Sequence, residues 1–183
     1  MSAPYAITGE TRLVIPTLEG DGLRLRAPAA RDLPAYIAFC ASPRSAGVGG
    51  PYGEMEARYR FNGLFGHWHI KGFGRWLVAD PETDAPLGVV GPLEPPGWPE
   101  PEIAWTVFDG AEGKGIAFRA ARMARAYAYD HLGWQSTISC VTEGNARSEA
   151  LARRLGATFE RVFEHEEFGP LRIFRHPARE ALA

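Results

Sequence analysis

The chain contains 183 residues, of which 45% are hydrophobic and 23% are charged, and its formal net charge is −2. This length and composition are typical of a globular protein with one core. We therefore expect a single domain over residues 1–183, with residues 1–16 as an N-terminal extension. Because the charge is nearly balanced and the basic residues are spread along the chain, no nucleic-acid partner is expected.

The N-terminal sequence MSAPYAITGETRL has neither the basic nor the apolar region of a secretory signal, and no apolar run reaches membrane-spanning length. We therefore expect a cytoplasmic protein without a membrane partner. Cys40 and Cys140 are far apart and lie beside apolar residues. This pattern favours buried free thiols over a disulfide or a pair of metal ligands.

The first half of the chain predicts alternating strands and helices. Leu23–Pro28 alternates apolar and basic residues as a half-buried strand does, and residues 30–42 predict a short helix with Asp32 and Pro34 in its first turn. The segment Pro43–Gly74 is rich in glycine, aromatic residues and histidine, and we predict helix and loop there. The sequences RWLVAD and PLGVVGPL, separated by PETDA, predict a β-hairpin.

The second half predicts a strand, a glycine turn, a helix and another strand in succession. EIAWTVF predicts a strand, and apolar residues from Ile116 onward recur at helical spacing until Gly133. STISCV predicts a strand, and NARSEALARRLG predicts a helix with Asn145 as its N-cap and Gly156 as its end. A final pair of strands is predicted around FGP. The result is a mixed α/β fold.

The glycine turn in DGAEGKGIAF stands where a helix begins, and such a helix start can bind an anion through its free backbone N–H groups. A P-loop is excluded because Gly115 occupies the place of the magnesium-binding hydroxyl, and a dinucleotide site is disfavoured because Phe118 replaces the third glycine. The pyrophosphate of coenzyme A is the candidate that remains. The alternative is a glycine-rich connection without a ligand.

The sequence resembles the GNAT superfamily of N-acetyltransferases, and in particular its branch of ribosomal-protein N-terminal acetyltransferases. The resemblance is carried by EIAWTV, EGKGIA, STISCV and NARSEALARRLGA in this order, together with the opening TLEGDGLRLRAPAARDL, and it spans Thr17–His176. It implies a single-domain α/β fold with a central mixed, mostly antiparallel sheet flanked by helices. That sheet would splay open between strand four, Glu102–Val107, and strand five, Ser136–Val141, with acetyl-CoA in the gap.

The resemblance also implies which residues bind the co-substrate acetyl-CoA. Strand four would pair with the pantetheine, and the glycine turn would hold the pyrophosphate. The implied residues are Trp105, Thr106, Val107, Gly113, Lys114, Gly115, Ile116, Ala117, Asn145 and Ser148. Two positions depart from the family pattern: Glu112 stands where Gln or Arg is common, and Ala152 stands where many members carry a tyrosine general acid.

For catalysis, Glu102 resembles the family position that removes the amine proton, and Ser148 resembles a serine beside the sulfur of coenzyme A. The alternatives are that Asn145 is only an N-cap and Ser148 only a solvated helix residue. Other residues could act as the base, namely Glu94, Glu100, His69 and Glu143. In the sequence HWH, His67 and His69 would share one face of a strand, but without a third ligand nearby no metal is expected.

Three classes of function follow from the sequence. The first is an N-acetyltransferase that moves an acetyl group to a primary amine of a small molecule or a protein N-terminus, by direct transfer in a ternary complex. The second is a catalytically degenerate fold that binds coenzyme A or a protein partner, and the third is a structural interaction domain. The resemblance and the aromatic-rich middle segment also predict a homodimer.

Overall fold

A computed structural model of the protein describes residues 13–182. Within this range, eight strands form one sheet. The strands are β1 Leu18–Gly20, β2 Leu23–Arg26, β3 Trp76–Ala79, β4 Pro86–Leu93, β5 Glu102–Val107, β6 Ile138–Thr142, β7 Thr158–His165 and β8 Gly169–Arg175. The α-helices are α1 Leu33–Ala41, α2 Glu54–Lys71, α3 Ile116–Asp130 and α4 Ala146–Arg154. Short 3-10 turns cover Ala30–Asp32, Pro43–Val48 and Arg179–Leu182.

The strand order across the sheet is β1, β2, β3, β4, β5, β6, β8, β7. The pairs are antiparallel except for β5 and β6, which run parallel. The predicted mixed, mostly antiparallel α/β sheet is thus confirmed. The two strands expected as the fourth and fifth are the fifth and sixth in chain order, because the sequence analysis missed the short strand β1. β6 begins at Ile138 and not at Ser136.

Each face of the sheet is covered by helices. α3 packs on one face through small residues, which let its backbone approach strands that carry the large side chains of Trp76 and Ile103. These small residues are Ala120, Ala121, Ala124 and Ala128. On the other face, Leu77, Ala79 and Val89 pack against residues of α1 and α2. Burial of these apolar side chains is the main stabilising contribution to such a fold.

The middle segment contains the long helix α2, and this corrects one prediction. His67 and His69 lie on a helix and not on a strand, so residues two positions apart point to different sides. The His67 ring accepts a hydrogen bond from the Glu94 N–H at 3.0 Å and donates one to the Phe73 carbonyl at 2.7 Å, while His69 is exposed. Among residues 13–182, no three His, Cys, Asp or Glu side chains are grouped to hold a metal.

Most of the predicted N-terminal extension, residues 1–16, lies outside the described range. Of its last residues, Ile15 packs against the core and the Pro16 carbonyl accepts a hydrogen bond from the Trp76 indole at 2.7 Å. Within the described residues, no helix combines the length and apolarity needed to cross a membrane. Both cysteines are free thiols; Cys40 is buried and Cys140 half-buried.

Candidate active site

The gap between β5 and β6 opens because the two strands separate almost at once. Their ladder contains one Cα pair, Glu102 with Ile138. We call the point where the two strands separate the neck of the gap. Side chains join the strands there in place of backbone pairing: the Thr137 hydroxyl donates to the Pro101 carbonyl at 3.0 Å, and the Ser139 hydroxyl donates to the Ile103 carbonyl at 2.6 Å. Beyond Ile103, β5 stays paired with β4 on one edge and faces the gap on the other.

The buried side chain of His176 contacts Ser139 at this neck. His176 Nε2 lies 2.9 Å from Ser139 Oγ, and its Nδ1 lies 3.0 Å from Arg125 Nη1. Because a guanidinium can only donate, Nδ1 accepts from Arg125 and Nε2–H donates to Ser139. Burial, together with the charges of Arg125 and Arg175, lowers the pKa of His176 to about 3. The imidazole is therefore neutral near pH 7 and orients the Ser139 hydroxyl.

The cleft that begins at this gap has a volume of about 1610 Å³. This is larger than the roughly 300–1,000 Å³ typical of a site for one small ligand. One end of the cleft reaches the start of α3, and the other end lies between α1, α2, the loop before β5 and the β7–β8 turn. Such a cleft has room for a nucleotide-sized ligand and a second molecule end to end.

The start of α3 is open to an anion. Gly113 and Gly115 both adopt φ +71°, a conformation that favours glycine, and a Cβ at either position would meet no protein atom within 4 Å. Gly115 caps the helix without a side-chain hydrogen bond, and the first intrahelical bond comes from Arg119 N. The N–H groups of the first helical residues, Ile116 to Phe118, therefore have no partner within the helix.

The Lys114 side chain turns back from this site. Its ammonium donates to the Gly110 carbonyl at 2.8 Å, and the residue does not line the cleft. Lys114 would therefore take part through its backbone, as its glycine neighbours do.

Glu112, the unexpected carboxylate beside this turn, has a cationic partner. Arg44 in the Pro43–Val48 turn lies 2.8 Å from the Glu112 carboxylate and also pairs with Asp109. Its Nη2 donates to the Val107 carbonyl at 3.0 Å. Arg44 offsets part of the negative charge of Glu112, although it also pairs with Asp109, and this reduces the electrostatic cost of binding an anion at this turn.

Glu102 lies at the neck of the gap and is 3% exposed. Its Oε2 accepts a hydrogen bond from the Cys140 N–H at 2.7 Å, and its Oε1 accepts one from the Trp98 indole at 2.9 Å. Burial raises the pKa of Glu102 to about 7, although both hydrogen bonds and the positive charge of Arg75 oppose the shift. A carboxyl group with this pKa can take up a proton near neutral pH.

Asn145 and Ser148 form the start of α4 on the cleft wall. Asn145 Oδ1 accepts a hydrogen bond from the Ser148 N–H at 3.1 Å, so Asn145 is the N-cap that the sequence predicts. The Trp105 indole donates to Ser148 Oγ at 3.3 Å. Because the serine oxygen accepts in this contact, its own proton is still available to a ligand in the cleft.

Ala152 does not face the cleft. It is completely buried and packs with Val141, Ala157 and Phe174 beneath the sheet. The residues of α4 that line the cleft are Arg147, Ser148, Leu151 and Arg154, and the N-cap Asn145 lines it just before them. Ala152 therefore offers the cleft no group that could donate a proton, and its match to the family's tyrosine stays a prediction. The cleft position after Ser148 holds Leu151, which cannot donate a proton.

Cys140 lines the cleft next to Glu102. Burial raises the pKa of its thiol far above the ordinary value, and the negative charge of Glu102 raises it further. A thiol in these surroundings stays protonated near neutral pH, so it is a poor nucleophile.

The other residues considered as bases are mostly engaged elsewhere. Glu100 receives two hydrogen bonds from Arg175, at 2.6 and 2.7 Å, and Glu94 pairs with Lys71 at 2.8 Å. His69 does not line the cleft, whereas Glu143 lines it as an exposed residue.

Sequence reasoning missed several residues that line the cleft, namely Tyr36, Arg44, Arg60, Arg75 and Trp98. A signal existed for Arg75 and for Trp98. Arg75 stands two residues before Leu77 of the fully buried strand β3, so the two side chains share one face of the sheet, and a charged side chain on a buried face is unusual. Trp98 stands four residues before Glu102 in a proline-rich loop. The other three could be found only from the packing of α1 and α2.

Comparison with known proteins agrees with this geometry. Residues 22–158 match the acetyltransferase (GNAT) domain family. The chain is 35% identical to an acetyltransferase from Agrobacterium tumefaciens strain C58, with a TM-score of 0.82 and coverage of 93% of this chain and 99% of that one. The chain therefore belongs to the GNAT acetyltransferase family, whose general activity is acetyl transfer.

Two more distant structures share the fold. A GNAT-family acetyltransferase from Bacillus anthracis is 16% identical, with a TM-score of 0.72 and coverage of 87% of this chain and 97% of that one. A ribosomal L7/L12 alpha-N-protein acetyltransferase in complex with coenzyme A is also 16% identical, with a TM-score of 0.70 and coverage of 88% and 97%.

Proposed function

We propose that this protein is an acetyl-CoA-dependent N-acetyltransferase that transfers the acetyl group directly to a primary amine. The observation that carries the proposal is that one cleft connects an uncapped helix start, an unpaired strand edge and a buried carboxyl group. An anion, an extended amide chain and an amine proton each have a fitting partner along this cleft.

The α3 start fits the pyrophosphate of acetyl-CoA through backbone N–H groups from Gly113 to Ala117. The gap-facing edge of β5, from Trp105 to Val107, fits the pantetheine amides as an added strand would. Arg44 already engages the Val107 carbonyl, so the strand would offer that group only in part. The complex of a ribosomal L7/L12 acetyltransferase of the same fold with coenzyme A supports binding of this co-substrate.

Acetyl-CoA supplies the acetyl group as a thioester. Glu102, acting through a water molecule, takes a proton from the amine, so that the neutral nitrogen can form the new C–N bond as the C–S bond breaks. The nitrogen then loses a second proton, which passes through solvent to the departing thiolate and gives free coenzyme A and the amide. A backbone N–H near Thr106 stabilises negative charge on the thioester oxygen, and Ser148 donates a hydrogen bond to the departing sulfur. Cys140 takes no part, because its thiol is protonated.

The acceptor is a small-molecule amine or a protein N-terminus. The ribosomal L7/L12 alpha-N-protein acetyltransferase among the similar structures supports the second. Homodimer formation and a cytoplasmic location stay predictions. A degenerate protein that binds coenzyme A without turnover is the alternative, since no tyrosine on α4 faces the cleft in the described structure.

The test is release of free thiol from acetyl-CoA in the presence of an amine panel. Glu102→Gln should lower kcat/KM by about 100- to 10,000-fold, because a positioned base is lost. Ser148→Ala should cost about tenfold or less, because water can replace a neutral hydrogen bond. Cys140→Ala is the matched control within the cleft and should leave turnover nearly intact.

The rate per neutral amine should also rise with pH through an apparent pKa near 7 in the wild type, and this rise should be absent in Glu102→Gln. An acetyl group trapped on Cys140, or full activity of Glu102→Gln at neutral pH, would overturn the assignment. Binding of coenzyme A without thiol release for any amine would favour the degenerate alternative.

A further inference from the structure

Arg75 lines the cleft and differs from Arg44 and Arg60, two other arginines that line it. Arg44 pairs with Glu112 at 2.8 Å, and Arg60 pairs with Glu56 at 3.1 Å. Within residues 13–182, Arg75 forms no salt bridge, and its buried Nε donates no hydrogen bond. Buried donors without a partner are rare in folded proteins, so this one calls for an explanation.

The sheet register fixes the distance between Arg75 and Glu102. Trp76 pairs with Val90, and Val90 pairs with Trp105, so Arg75 is level with Ala104 two strands away. With strands about 4.8 Å apart and roughly 3.3 Å per residue, the Cα atoms of Arg75 and Glu102 are about 12 Å apart. Both residues line the cleft. The Glu102 carboxylate accepts from the Cys140 N–H of β6, which lies on the far side of β5 from Arg75. The carboxylate is therefore drawn away from Arg75, and a small polar molecule can lie between the two charged groups.

The charges around the cleft are unequal on the two sides of Glu102. On the α2 side, burial raises the pKa of Tyr36, and the positive charge of Arg75 opposes this rise. Burial lowers the pKa of His67 there, so this ring adds no charge near neutral pH. On the opposite rim, four acidic residues line the cleft: Glu143, Glu164, Glu166 and Glu167. A ligand with one positive and one negative group would align with this polarity.

We infer that the acceptor carries a carboxylate in addition to its amine, and that Arg75 binds this carboxylate while Glu102 faces the amine. The inference rests on the proposed function, because that function identifies the positively charged group of the ligand as the reacting amine. A guanidinium is a planar fork that matches a carboxylate with two hydrogen bonds. The substrate class is therefore the aminocarboxylates, supplied as free amino acids or as peptides with an acidic side chain near the N-terminus.

The test compares acceptors with and without a carboxylate, with each rate expressed per neutral amine because a carboxamide has a lower amine pKa than its amino acid. Each free amino acid is assayed beside its carboxamide, and short peptides beginning Ala-Glu are assayed beside peptides beginning Ala-Gln, with thiol release as the readout. The wild type should prefer the carboxylate member of at least one pair by about 10- to 100-fold in kcat/KM. The pair that shows the preference distinguishes free amino acids from peptides.

In Arg75→Gln this ratio should fall to about one, and Arg75→Lys should restore part of it. The ratio is measured within each variant, so a reduced fraction of folded protein does not alter it. Arg58→Gln is the control, because Arg58 is an exposed arginine of α2 that pairs with Glu54 away from the cleft. This variant should keep the wild-type ratio.

A binding measurement separates the inference from the proposed function. Calorimetry is carried out with coenzyme A present and with the preferred carboxylate acceptor, a free amino acid or an Ala-Glu peptide, as the probe. The Kd of this probe should rise about 10- to 100-fold in Arg75→Gln, and the affinity for coenzyme A should not change. Acetyl transfer without a carboxylate preference, or a preference that survives in Arg75→Gln, would overturn the inference and leave the proposed function standing. Binding of a carboxylate acceptor that depends on Arg75, without any acetyl transfer, would support the inference and overturn the proposed function. Failure of every carboxylate probe to bind would also overturn the inference.

Discussion

Replacing Glu102 by Gln should change the stability of the protein in a strongly pH-dependent way. The folded protein holds this carboxyl group buried, with its pKa raised from 4.5 to about 7. Between these two pH values, the folded state binds a proton more readily than the unfolded state. The wild-type free energy of unfolding contributed by Glu102 is therefore fully present below pH 4.5 and is lost as the pH rises to about 7.

The magnitude follows from the size of the shift. At about 1.4 kcal/mol per pKa unit, the penalty for holding the ionised carboxylate in the folded protein is about 3 kcal/mol. Gln carries no charge, so the variant escapes this penalty. It has one acceptor oxygen for two donors, the Cys140 N–H and the Trp98 indole. The unmatched donor costs about 1–3 kcal/mol, and this cost does not depend on pH.

Urea denaturation at pH values from 4.5 to 8.5 measures this effect. We expect the difference in unfolding free energy, Glu102→Gln minus wild type, to rise by about 3 kcal/mol over this range, with most of the change below pH 7.5. Glu143→Gln removes an exposed carboxylate from the same cleft and is measured in parallel as the control for the loss of one carboxylate. A pH-independent difference for Glu102→Gln would refute the assignment of a raised pKa to Glu102, and with it the reason for choosing this residue as the base.

Two further predictions concern the glycine turn and the support of the neck. Gly115→Val should weaken coenzyme A binding strongly, because valine strains at φ +71° and its side chain would fill the space before the helix N–H groups; calorimetry that finds unchanged affinity would contradict the proposed pyrophosphate site. His176→Gln should reduce acid sensitivity: the wild type should lose up to about 1.4 kcal/mol per pH unit relative to the variant as the pH falls from 6.5 to 3, because only the unfolded chain gains this proton. Parallel urea titrations of both proteins measure this, and curves of equal slope would show that His176 is not held neutral.

The sequence by itself determined the features that depend on neighbouring residues in the chain. The alternation in Leu23–Arg26 and the helical spacing after Ile116 follow from the periods of a strand and a helix, and both elements are present. Asn145 is the N-cap of α4 because its side chain reaches a backbone N–H only three residues away. The turn at Gly113 and Gly115 is local for the same reason, since both residues take a conformation that glycine favours.

Features that depend on distant segments could not be found in this way. His67 and His69 were placed on a strand because aromatic and glycine residues hide the helical period of α2. Ala152 is fully buried although Ser148, one helical turn earlier, lines the cleft; this difference depends on packing against β6 and β8 and is not visible in the chain spacing. The pairing of Arg44 with Glu112 joins residues from different elements and was not visible in the sequence.

The chemistry of the cleft was decided by tertiary structure. Glu102 could be chosen from the sequence as a candidate base, but its raised pKa arises from burial within the folded sheet, which the hydrogen bonds from Trp98 and the Cys140 N–H offset only in part. Arg75 lacks an acidic partner only because of how the strands and α2 are packed around it. Local sequence fixes backbone conformation through short-range hydrogen bonds and sterics, whereas desolvation and charge pairing depend on every segment that folding brings to the site.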